Sequence, residues 1–89
     1  MRILTVDARD FITKHETHAA LRAVLGEENY WGSNLDALHD CLTMVFEPTT
    51  LTIKNWSSAA RRLGDYANRL WHLFDDASEE NPNLNIVIE

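Results

Sequence analysis

The sequence predicts an α/β fold in which three parallel strands alternate with pairs of helices. Three short runs rich in β-branched residues stand near the start, middle and end of the chain: Arg2-Ile-Leu-Thr-Val6, Thr50-Leu-Thr-Ile53 and Leu84-Asn-Ile-Val-Ile88. Each gap between them holds two segments whose apolar residues recur at helical spacing. Helical crossovers between successive strands imply a parallel sheet.

The elements follow in order. The first strand reads as a buried one, being short and apolar. Thr13-Lys-His-Glu16 has the form of a capping box, in which hydroxyl and carboxylate satisfy free helix amides reciprocally. The helix it opens runs to Leu25, with Ala20, Leu21, Val24 and Leu25 on one face and Gly26 placed to stop it. His15 and His18 fall to its wet surface. A second helix starts at Ser33 or Asn34, either of which can cap it, and runs to about Phe46. Its apolar stripe is Leu35, Leu38, Cys41, Leu42 and Val45, while Asp36, His39, Asp40 and Thr43 cluster opposite. Glu47-Pro48 ends it. After the second strand, Ser57 to Leu63 forms a short helix stopped by Gly64, and Asp65 caps a longer one to about Glu79. Tyr66, Leu70, Leu73, Phe74 and Ala77 of that helix face the core. Arg69, His72 and Asp76 lie outside, with His72 and Asp76 spaced as a surface ion pair. Pro82-Asn83 turns the chain into the last strand. With no repeat, linker or low-complexity tract, residues 1–89 read as one domain.

Composition narrows the function. A hydrophobic share of 45% suits a folded globule, and no apolar run approaches the roughly 20 residues of a membrane span. Met1-Arg-Ile-Leu-Thr-Val-Asp lacks a signal-peptide hydrophobic region, and a single cysteine, Cys41, forms no internal disulfide, so a cytoplasmic setting is expected. The net charge of −6 argues against nucleic acid as a partner. That charge is uneven. No Lys or Arg lies between Arg22 and Lys54, where Glu27, Glu28, Asp36, Asp40 and Glu47 fall, and none follows Arg69, where Asp75, Asp76, Glu79, Glu80 and Glu89 fall. If folding joins the two stretches, the protein turns a negative field to one side and steers a positively charged partner; otherwise they are a solvated acidic surface.

Enzyme readings find little support. His39, Asp40 and Cys41 are consecutive, so on a helix they point apart and cannot form a nucleophilic array, and Cys41 faces the apolar stripe as a small hydrophobe. His15 and His18 have an i, i+3 spacing, but no Cys or acid completes a metal site. Asp36 and Asp40 pair at i, i+4, yet a flat helix face offers a substrate no pocket, and the three glycines are too isolated for a phosphate loop. No catalytic residue, metal or cofactor is expected. The better candidate is a protein interface. Asn29-Tyr30-Trp31-Gly32 precedes the two-carboxylate helix, which places aromatic anchors beside a charged complement.

The segment Tyr30-Trp-Gly-Ser-Asn-Leu-Asp-Ala-Leu-His-Asp-Cys-Leu-Thr43 closely resembles the signature of the barstar family, Tyr-Tyr-Gly-x-Asn-Leu-Asp-Ala-Leu-Trp-Asp-Cys-Leu-Thr. The resemblance extends over essentially the whole chain. It implies the small barstar-like fold, a three-stranded parallel sheet with four helices in the order β-α-α-β-α-α-β. It also implies an intracellular inhibitor of a secreted, guanyl-preferring ribonuclease of the barnase type, bound one to one. In the family the second helix and the aromatic loop plug the enzyme's active site, and an aspartate stands in for a substrate phosphate. By position that residue is Asp40, with Asp36 as a second acidic contact, Tyr30 as the anchor and Trp31, Gly32, Asn34 and Leu35 in the loop and helix start. Asp76 matches a family glutamate on the fourth helix, and His39 and Thr43 complete the partner-binding set. The family also places a cis bond before the proline preceding the second strand, which Glu47-Pro48 matches.

Three departures bear on the partner. His39 replaces a tryptophan and adds a titratable group, Trp31 replaces the second tyrosine, and Asp75 replaces a basic residue. A second reading therefore stands beside the first: an interaction module, or an immunity protein for a toxin that is not a barnase-type ribonuclease.

Overall fold

The computed structural model describes residues 1–26 and 34–89. The described chain runs through strand β1 (Arg2–Asp7), a 3₁₀ turn at Ala8–Asp10, helices α1 (Lys14–Leu25) and α2 (Leu35–Thr43), strand β2 (Thr49–Lys54), helices α3 (Trp56–Leu63) and α4 (Asp65–Glu80), and strand β3 (Leu84–Ile88). The strands form one parallel sheet in the order β1-β2-β3. This is the expected α/β class and element order.

Strand alternation decides how the sheet is used. Registered neighbours put Leu4, Leu51 and Ile86 in one row and Val6, Ile53 and Ile88 in the next, all on one face. Leu51 and Ile53 are fully buried there and join the core cluster with residues of all four helices, among them Leu21, Leu38, Leu42, Ala59, Leu70 and Phe74. The opposite face carries Ile3, 73% exposed, and Val87, 37% exposed. The expectation of a buried first strand is thus half corrected. Because the helices join a single core with one face, only every second side chain of β1 turns inward.

Helix ends follow their sequence signals, with exceptions. The Thr13 hydroxyl accepts the Glu16 amide at 3.2 Å and caps α1, and Gly26, at φ 94°, closes it with its amide on the Arg22 carbonyl. Asn34 caps α2, its side-chain oxygen accepting the Ala37 amide at 2.8 Å, while Ser33 lies outside the described residues. That helix stops at Thr43 rather than running to Phe46, and carbonyls at its end and just beyond accept bonds from the side chain of Asn81, the residue after α4, described below. Gly64 serves as the end of α3 and the start of α4 at φ 56°, ψ −124°, a backbone open chiefly to glycine. Asp65 is therefore the first residue of α4 and not its cap. The Asp7 carboxylate takes bonds from the Arg9 guanidinium and the Asn55 amide, tying the end of β1 to the start of α3. These bonds hold it well below the usual carboxylate range, with the Arg9 side chain contributing most.

Three further expectations are corrected. His18 is fully buried rather than wet; its ring nitrogen bonds the Tyr66 hydroxyl, and Lys14 sits over the Tyr66 ring at 4.9 Å. The helical stripe that buries Leu21 and Leu25 passes through His18, which explains its position. His72 and Asp76 form no ion pair; Arg2 pairs with Glu47 and Arg9 with Asp7, and the His39 ring lies 3.3 Å from the Glu80 carboxylate. The Glu47–Pro48 bond is trans, the ordinary preference of such bonds, with Pro48 accepting the Arg2 amide at 2.9 Å.

Candidate functional site

Burial orients the acids of α2. Leu38, Cys41 and Leu42 are buried, so the helix turns Asp36 and Asp40 outward, both exposed, with His39 and Thr43 half-buried between core and solvent. Leu35 packs partly against the core. Asn34 fixes where the helix begins, and the Thr43 hydroxyl bonds the Asp40 carbonyl at 3.1 Å in its last turn. Cys41 is buried as expected, and burial pushes its thiol up, away from the reactive thiolate. Tyr30, Trp31 and Gly32 lie outside the described residues.

The fourth helix supplies the opposing wall. Ala67, Leu70, Leu73, Phe74 and Ala77 turn inward, leaving Arg69, His72 and Asp76 exposed on the outer side. Between the two helices runs an open groove of about 390 Å³, lined by Leu35, Asp36 and His39 from α2 and by Arg69, His72, Leu73 and Asp76 from α4. The face is thus a shallow, open depression. Its floor is apolar and its rim mixed in charge.

Of the candidate residues, the structure brings Leu35, Asp36, His39 and Asp76 to this groove. Asp40 and Thr43 sit on the same helix beyond its lining, and Asn34 sits at the helix start. Glu80 is the residue that sequence reasoning passed over. Its carboxylate lies 3.3 Å from the His39 imidazole, one helical turn beyond Asp76 on the same side of α4. Its i, i+4 relation to Asp76 was the available signal.

The chemistry open to this face is that of association. Among the described residues no group of three or more His, Cys, Asp or Glu side chains could hold a metal ion, and no helix is long and apolar enough to cross a membrane. Exposed carboxylates on two adjoining helices attract cations, while Arg69 and His72 among them restrict which pattern of charge fits opposite.

Comparison with known proteins bears on the chain as a whole. A family model described as "Barstar (barnase inhibitor)" matches residues 1–89. A Bacillus subtilis (strain 168) protein named "Putative ribonuclease inhibitor YrdF" is 40% identical over 91 aligned residues, which cover 100% of both chains.

Proposed function

The chain belongs to the barstar family, and from that premise we propose that it is a one-to-one protein inhibitor of a basic, barnase-like ribonuclease, without catalysis and without a cofactor. The observation that carries the proposal is the acidic concave face between α2 and α4, with Asp36, Asp76 and Glu80 around the groove and Asp40 exposed beside it. In this reading Asp40 enters the enzyme's cationic cleft and takes the place of a substrate phosphate, where loss of water strengthens each charge-assisted bond. Asp36 and Asp76 meet further cations at the rim. Tyr30 supplies the aromatic anchor with Trp31 and Gly32, Asn34 and Leu35 shape the helix start, and His39 and Thr43 flank Asp40. Its setting is the cytoplasm, where it protects the producing cell before the enzyme is exported.

The test is a titration of the purified protein into a guanyl-preferring ribonuclease of the barnase class, following RNA cleavage. Activity falls linearly to zero at one equivalent if the proposal holds. Full activity at a tenfold excess of the protein excludes that enzyme class.

A second reading is favoured by the arginine and the two histidines in the groove. Arg69, His72 and the His39 that stands where the family has tryptophan fit a partner whose charge pattern differs from that of a barnase-type enzyme. An immunity protein for another toxin domain meets that description. Capture from lysate and secretome with wild type and Asp40→Ala, followed by mass spectrometry, separates the two: the specific partner is the one lost with Asp40→Ala.

A further inference from the structure

Asn81 ends α4 and also holds the end of α2. Its backbone amide bonds the Ala77 carbonyl at 3.0 Å and closes α4, while its carbonyl accepts the Leu84 amide at 3.0 Å and starts β3. Its side-chain amide points the other way. Nδ2 donates to the carbonyls of Leu42 at 3.0 Å and Val45 at 2.9 Å, with Thr43 more distant at 3.4 Å, and Oδ1 accepts the Asn83 amide at 3.0 Å. The orientation of the amide is unambiguous, because carbonyls only accept and a backbone N–H only donates. Every polar group of the residue is engaged, and it is only 6% exposed.

This arrangement compensates for what α2 lacks. The helix has nine residues, no basic side chain in its last turn and no glycine at its end, where Met44 keeps a right-handed backbone. A helix so short has little stability of its own, and its final carbonyls need partners. Part of that partnership comes from the chain that follows, the Met44 amide on the Asp40 carbonyl at 3.2 Å and the Val45 amide on Leu42 at 3.4 Å, and the rest from Asn81 at the end of α4. One rung further, the Asn83 side chain bonds the Phe46 carbonyl at 3.1 Å, so the same turn also holds the exit from α2.

The consequence reaches the acidic face. Asp40 lies in the last turn of α2 and Glu80 is the residue before Asn81, so the link between the two helices sits beside the carboxylates whose spacing a partner must match. We propose that Asn81 is a positioning residue that sets the placement of α2 against α4 and thereby the affinity of the acidic face. The proposal rests on the inhibitor reading above, but its structural half is testable without a partner.

The experiment compares wild type, Asn81→Ala and Ile53→Val, a core variant on β2 that serves as a control for lost stability alone. Amide residual dipolar couplings over 35–43 and 65–80 report the relative orientation of the helices. Titration calorimetry against a barnase-class ribonuclease, well below each melting temperature, reports affinity. The expected result is a changed orientation and at least tenfold weaker binding for Asn81→Ala, with both unchanged for Ile53→Val. Wild-type orientation in Asn81→Ala overturns the proposal, and so does a changed orientation with wild-type affinity. If Asn81→Ala does not fold, Asn81→Ser retains one donor and is judged by the same two readouts. If wild type does not bind the ribonuclease, the inhibitor reading fails for that enzyme, and the couplings alone decide the role of Asn81.

Discussion

Acidification should destabilise this protein through one histidine, His18. Its side chain is fully buried, and its imidazole bonds the Tyr66 hydroxyl. Burial lowers its pKa below the ordinary 6.5, and the nearby positive charge of Arg22 pushes in the same direction. The sign follows from linkage. A histidine whose folded-state pKa is depressed binds fewer protons when folded than when unfolded, so stability is lost as pH falls through the unfolded value. If the folded imidazole stays neutral down to pH 5.5, the unfolded chain gains about 1.4 kcal/mol relative to it between pH 7.5 and 5.5, which sets the ceiling for this one group. The assay is urea unfolding of wild type and His18→Gln at half-unit steps, since glutamine can still bond Tyr66 but does not titrate. Wild type should lose up to about 1.4 kcal/mol more than the variant across the window. Equal losses in the two proteins would refute the reasoning and place the acid sensitivity elsewhere.

Two other outcomes follow from the geometry. Gly64→Ala should cost about 1–3 kcal/mol by calorimetry, all of it from the backbone, because φ is 56° and an added Cβ meets nothing within 4 Å. Thr13→Ala removes the oxygen that accepts the Glu16 amide and should cost about 0.5–2 kcal/mol in urea unfolding.

The legible part of this fold was its local part. The bounds of β3, the capping threonine of α1 and the stops at Gly26 and Gly64 follow from periodicity and turn chemistry that act over a few residues. The outward direction of Asp36 and Asp40 follows from the stripe of Leu38, Cys41 and Leu42. What escaped was set by contacts distant in sequence. His18 finds a polar partner in Tyr66, which lies 48 residues away, and carbonyls at the end of α2 bond Asn81, 36 to 39 residues on. The groove needed two helices to be placed side by side, so a reading of α2 alone saw a flat surface. The uneven charge did carry information that crosses elements: acids from both base-free stretches, Asp36 and Asp76, line the same groove.

The central claim is that Asp40 stands where a substrate phosphate would. Its most direct test is the dissociation constant of wild type and Asp40→Ala for a barnase-class ribonuclease, measured in one buffer. The expected loss is several kcal/mol, the scale measured at hot spots of the barnase–barstar complex. A loss below about tenfold, roughly 1.4 kcal/mol, would contradict it and remove Asp40 from the centre of the site.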